Sequence, residues 1–225
     1  MVEARAAAVW RDGGDLWLDH VSLKAEDHEW LAAARWLTLW TVKVPDGLLA
    51  SLPHLEFLDL RGGSGTSLRA IEGCHRLRLL EVNQIRGVND LDVLPTLTSL
   101  ELLSLYGQPQ VTRLPSFAPL TKLRRAELGS LKGLSGLTGL HDAPVLEELV
   151  LMNVVGVAAD DASRLAAHRT LTHFSWFADS GPPDKVWVPF QETVAKPRAR
   201  LLHTHEWFGR PLPWRGRADA DQSAG

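Results

Sequence analysis

His203 and His205, in the stretch HTHE, have the H-x-H spacing that sets two imidazoles on one face of a strand, where they could share a metal ion. A protein metal site takes three or four ligands. No third donor can be placed beside this pair, so both are expected to be histidines of a terminal cap. Cys74 and His75 are adjacent, the makings of a thiolate–imidazole pair. Cys74 nevertheless continues a three-residue apolar spacing with Leu68 and Ile71, which points to a buried thiol. The glycine-rich stretch LGSLKGLSGLTGL, residues 128–140, lacks both the Lys-Ser/Thr ending of a phosphate loop and the dinucleotide spacing. No G-x-S-x-G or H-E-x-x-H pattern occurs. These stretches supply no catalytic residue, metal ligand or cofactor site, and the chain is expected not to be an enzyme.

One stretch has the composition of a nucleic-acid surface. Residues 184–217 hold Lys185, Lys196, Arg198, Arg200, Arg210, Arg215 and Arg217 against Asp184, Glu192 and Glu206, with Trp187, Trp207 and Trp214 between them. Basic side chains interleaved with aromatic ones can track a phosphate backbone and stack bases. The favoured reading is that the tryptophans pack on the rest of the protein while the charges stay solvated. The chain as a whole has net charge -3 and a pI near 6.3, so it has no global basic field, and nucleic acid is not the partner expected.

Most of the chain is a repeat that must position whatever the protein uses. The pattern L-x-x-L-x-L occurs as LEFLDL from Leu55, LRLLEV from Leu77, LELLSL from Leu100, LRRAEL from Leu123 and LEELVL from Leu146. It continues as LTHFSW from Leu171 and extends backwards to ARWLTL from Ala34 and GGDLWL from Gly13, giving eight units spaced 21–25 residues apart. Alternation in the first half of each unit predicts a strand. From the twelfth position, apolar residues recur every third place: Val88, Leu91, Leu94 and Leu97, then Val111, Leu114, Phe117 and Leu120 in the next unit. That spacing predicts a tight, 3₁₀-like return. One unit cannot enclose a core; stacked units can.

With so many copies in register, the chain resembles leucine-rich repeat proteins, most nearly the short-period, internalin-like bacterial class, over roughly residues 13–177. The resemblance implies an α/β fold: a right-handed solenoid or horseshoe of about eight repeats, with one parallel sheet on its concave face. It also implies a non-catalytic module that binds a protein or peptide there. The ninth position departs from the family's Asn or Cys, holding Gly63, Ile85, Gln108, Leu131 and Val154, so the turn amides need backbone or water partners instead. We expect one domain over 1–217, with an N-terminal cap at 1–12 turning through RDGG, repeats at 13–177 and a C-terminal cap at 178–217. Asp27 is expected to cap a first helical return, DDASRLAAH to form a short helix, and residues 218–225 to be disordered.

In a strand of this kind positions four and six face the core, so three, five and seven face out. Equal positions in adjacent units then lie about 4.8 Å apart. Trp36, Phe57, Leu79 and Leu102 align as an apolar stripe, bordered by Trp17, Trp40 and Tyr106, with Asp59, Arg61 and Glu81 among them. These ten residues are the candidate binding site, with Trp36, Trp40, Phe57 and Tyr106 as exposed anchors and the two carboxylates favouring a cationic partner. Arg125 and Glu148, on the C-terminal half of the same face, are expected to lie outside it. The N-terminus shows no signal peptide, no run of eighteen apolar residues could span a bilayer, and the single Cys74 suits a reducing compartment, so a cytoplasmic location is expected.

Overall fold

A computed structural model describes residues 3–11, 14–178 and 184–209. Among the described residues nine strands form one sheet in chain order: β1 (Val9–Arg11), β2 (Asp15–Asp19), β3 (Trp36–Trp40), β4 (Phe57–Arg61), β5 (Leu79–Asn83), β6 (Leu102–Tyr106), β7 (Arg125–Leu131), β8 (Glu148–Val155) and β9 (His173–Phe177). β1 is antiparallel to β2, covering its edge, and every later pair is parallel. The register is the one the repeat demands: Leu37 faces Leu58, Leu58 faces Leu80, Leu80 faces Leu103 and Leu103 faces Ala126. All five are fully buried. A leucine so enclosed stabilises the fold by about 1.5–3 kcal/mol through removal of apolar surface from water.

The returns are short 3₁₀ turns, as at Arg69–Ile71, Leu94–Thr96 and Thr138–Asp142, or single-turn helices such as α1 (His28–Leu31) and α2 (Leu48–Ser51). Their every-third apolar residues, among them Val88, Leu91, Leu94, Leu97, Val111, Phe117 and Leu120, are buried in one core with the strand leucines. Cys74 belongs to that core, and burial pushes its thiol up to about 12. Asp27 does not cap α1. Its carboxylate accepts hydrogen bonds from the Lys24 amide and from Trp30 Nε1, both at 2.7 Å, and so braces the turn before the helix. DDASRLAAH does contain a helix, α3 (Asp161–Ala166).

The missing asparagine ladder is replaced by backbone. In seven units position eight turns left-handed, just past the strand or, at Ser130 and Asn153, within β7 and β8: His20, Thr41, Gly62, Gln84, Gly107, Ser130 and Asn153 have φ between 50° and 74°. The first five donate their amides to the next unit's position-seven carbonyl, for example Thr41 N to Arg61 O at 2.7 Å and Gln84 N to Tyr106 O at 2.8 Å. The turn thus continues the sheet ladder by one bond.

At the far end α4 (Asp184–Val194) packs Phe190 and Val194 on Phe174 and Trp176, whose rings lie 5.8 and 5.2 Å from Phe190. This helix closes the core. Of the expected cap over 178–217, only α4 closes that end: Ala195 turns left-handed, with φ 50°, and the described residues after it pass beside β9 onto the sheet face. Asp12 and Gly13 of the RDGG turn, Arg210, Trp214, Arg215, Arg217 and the tail 218–225 lie outside the described residues.

Candidate functional site

Residues 196–209 lie across the sheet face turned away from the leucine core. Beside β9, the Phe174 amide donates to Pro197 O at 2.9 Å and Ser175 Oγ to Ala199 O at 3.2 Å. At β7, Arg125 Nη2 donates to Arg200 O at 3.2 Å. A single helical turn, α5 (Thr204–Trp207), follows, and its entry is fixed by the His203 amide donating to Glu206 at 3.0 Å. Thr204 Oγ1 donates to Glu81 on β5. His205 stacks on Trp36 of β3 at 3.7 Å between centroids, and Phe208 meets Phe57 of β4 edge-on at 5.0 Å. We call residues 196–209 the strap.

Beneath it, the parallel register brings Trp36, Phe57, Leu79 and Leu102 together in one row, with Trp36 and Phe57 stacked at 4.7 Å. The row forms a cluster separate from the leucine core, with Trp207 and Phe208 packed on it. The four residues are 0–3% exposed, so the expectation of exposed anchors at Trp36 and Phe57 is overturned. The strap supplies the cover, and neither His203 nor His205 stands apart from it. Arg78 lies over both the Phe57 and Phe208 rings, at 5.7 and 5.3 Å, held by Glu101 at 2.6 Å.

Position five carries a line of carboxyls. Arg61 Nε donates to Asp59 at 2.6 Å and Nη2 to Glu81 at 3.3 Å, so this cation already occupies the place assigned to a partner's lysine or arginine. Asp59 is raised by burial in spite of Arg61. Glu81 is raised by burial and then by the Asp59 carboxyl, up to about 7. Glu127 on β7 is raised by burial against the pull of Arg125. Arg125 itself is fully buried, donating to Glu127 at 2.8 Å, to Glu148 and to the strap carbonyl. It is part of the covered face and does not lie outside the site as expected.

The rest of the candidate set forms an uncovered margin. Trp17 and Trp40 pair at 5.9 Å, Arg11 lies over Trp17 at 5.1 Å, and Trp40 is 42% exposed. Val9 of β1, paired with Trp17, adds exposed apolar surface beside it. Tyr106 is half-buried. Its ring lies against Gly129, where a β-carbon would come within 2.4 Å, and its hydroxyl accepts from Asn153 Nδ2 at 2.9 Å.

Sequence reasoning marks none of Glu127, Thr204 and Phe208, and it places Arg125 outside the candidate site. The strap has no periodicity to show where it lies, and only its clustered aromatics hinted that it packs on something. In the basic segment, Trp187 packs partly buried on the leucine core and Trp207 on the stripe. Among the described residues no group of three His, Cys, Asp or Glu is gathered for a metal, and no helix is long and apolar enough to cross a membrane.

Nine strands in sequential order, eight of them mutually parallel, on a 21–25-residue period define a leucine-rich repeat solenoid, here with its sheet face partly occupied by its own chain. Among solved structures, an internalin C2 from Listeria monocytogenes is similar at 22% identity, covering 71% of this chain and 80% of its own with a TM-score of 0.47. A second internalin of that species, inlF, is 14% identical, covering 81% of this chain and 71% of its own at 0.29. No family model matches the sequence, and a search of curated proteins gives no match.

Proposed function

We propose that the chain is a non-catalytic module, working in a reducing, cytoplasmic setting, that binds a protein or peptide on the sheet face bordered by Trp17, Trp40, Arg61 and Tyr106. The observation carrying this is the Trp17–Trp40 pair, with Trp40 left 42% exposed on a strand whose neighbours hold it rigid. A large aromatic fixed in place loses little freedom when a partner covers it, and such residues dominate interface energies. In a pull-down from cells of origin, Trp40→Ala should weaken partner capture about thirtyfold or more, the equivalent of 2 kcal/mol. The urea midpoint should hardly move, because Trp40 lies outside both buried clusters. Lys122→Ala, on an exposed turn, is the control. Loss of capture by the control with full capture by Trp40→Ala would move the site off this face.

A further inference from the structure

The strap makes contacts of a kind that a binding partner would make. It packs on a cluster of its own, apart from the leucine core that α4 already closes. Its helical portion is one turn, Thr204–Trp207, too short to be stable by itself. Leu201, in its middle, is 66% exposed, so the strap is held at a few points and not embedded. Those points differ in chemistry. Buried Arg125 reads a backbone carbonyl, which any extended peptide offers, whereas Glu81 accepts from a hydroxyl. Trp36 and Phe57 then take a flat ring and an aromatic edge.

We propose that residues 199–208 are a tethered ligand that blocks the Trp36–Phe57–Leu79–Leu102 stripe, and that the stripe's external partner is a linear peptide of like chemistry. That chemistry is a free backbone carbonyl, then four residues on a hydroxyl side chain, a planar ring directly after it, and an aromatic side chain three residues further. This rests on the reading of the face as a peptide-binding surface and adds both the partner's chemistry and the control. A segment on a short tether competes at an effective concentration of about millimolar, so a free peptide making equal contacts is excluded until the strap lifts. The margin at Trp17 and Trp40 stays open in the blocked state and is where a partner can first engage.

The test uses the full chain and a full-chain variant with Thr204→Ala, His205→Ala and Phe208→Ala. The probe is a labelled synthetic peptide of residues 199–209, ARLLHTHEWFG, titrated by fluorescence anisotropy. The variant should bind it at least tenfold more tightly than the wild type, and a peptide with both histidines and the phenylalanine replaced by alanine should not bind the variant. Equal binding to wild type and variant overturns the blocking role while leaving the peptide surface standing. No binding by a cooperatively folded variant overturns the stripe as a ligand site, and capture that depends on Trp40 then still judges the margin separately. Should the triple variant not fold, Phe208→Ala alone should bind the probe at least threefold more tightly than wild type; unchanged affinity sinks the proposal.

Discussion

Beneath the strap the Glu81 side chain keeps only 15% of its exposure and lies beside Asp59, and burial together with that second carboxyl lifts it to about 7. The groups facing it are Asp59 and Arg61 from β4, the Thr204 hydroxyl from the strap, and Glu127 across the row, itself raised in part by Glu81. A carboxyl raised in the folded state holds its proton more tightly there than in the unfolded chain. Its stabilising contribution is complete below the ordinary value of 4.5 and is lost as pH climbs through about 7. At about 1.4 kcal/mol per pH unit the loss is no more than about 4 kcal/mol. Urea midpoints should therefore fall between pH 5 and 8, and Glu81→Gln, which keeps an acceptor for Thr204, should flatten the fall. Parallel profiles for the two proteins would show that Glu81 does not titrate in this window. The alignment of Trp36, Phe57, Leu79 and Leu102 was legible in the sequence because a period of two and a parallel register leave side chains no choice of face. Their burial was not, because what covers Trp36 is His205, 169 positions away and outside any repeat.

Strands and returns follow the same division. Leucine spacing foretells β2 to β9 because each inward side chain has only the stack to bury it. The helix α4 was hidden, since Pro189 lies within it and no repeat register reaches that far. The left-handed turn at position eight was hidden too: it recurs in seven units, yet only Gly62, Gly107 and Asn153 advertise it. Thr41 adopts φ 53° there, a conformation that crowds a β-branched side chain. Asparagine tolerates it with less strain. Thr41→Asn should raise stability by about 0.5–1 kcal/mol, and Gly62→Thr should lower it, since a β-carbon on Gly62 would come within 2.9 Å of Thr41 Oγ1. Urea unfolding of both variants checks the pair. Destabilisation by the asparagine would mean that Thr41 is not strained in its turn.

A stack of repeats is ordinarily one-dimensional, each unit feeling only its neighbours. The strap breaks that rule by joining Ala199 beside β9 to Arg125 on β7, Glu81 on β5 and Trp36 on β3. Phe190→Ala, which loosens α4 where the strap departs, should therefore speed amide exchange in β9 and also in β3 and β4. Exchange that quickens in β8 and β9 alone would show that the units remain uncoupled. The same bridge turns the strap into a ruler. One more unit between β3 and β7 would carry Trp36 about 4.8 Å further from the Arg125 anchor, beyond the roughly 3.4 Å that one extended residue spans. His205 would then come down short of its ring. Arrays without such a bridge can gain or lose a repeat at little cost to the others, whereas here the number of units between two anchors is set by the length of the segment that crosses them.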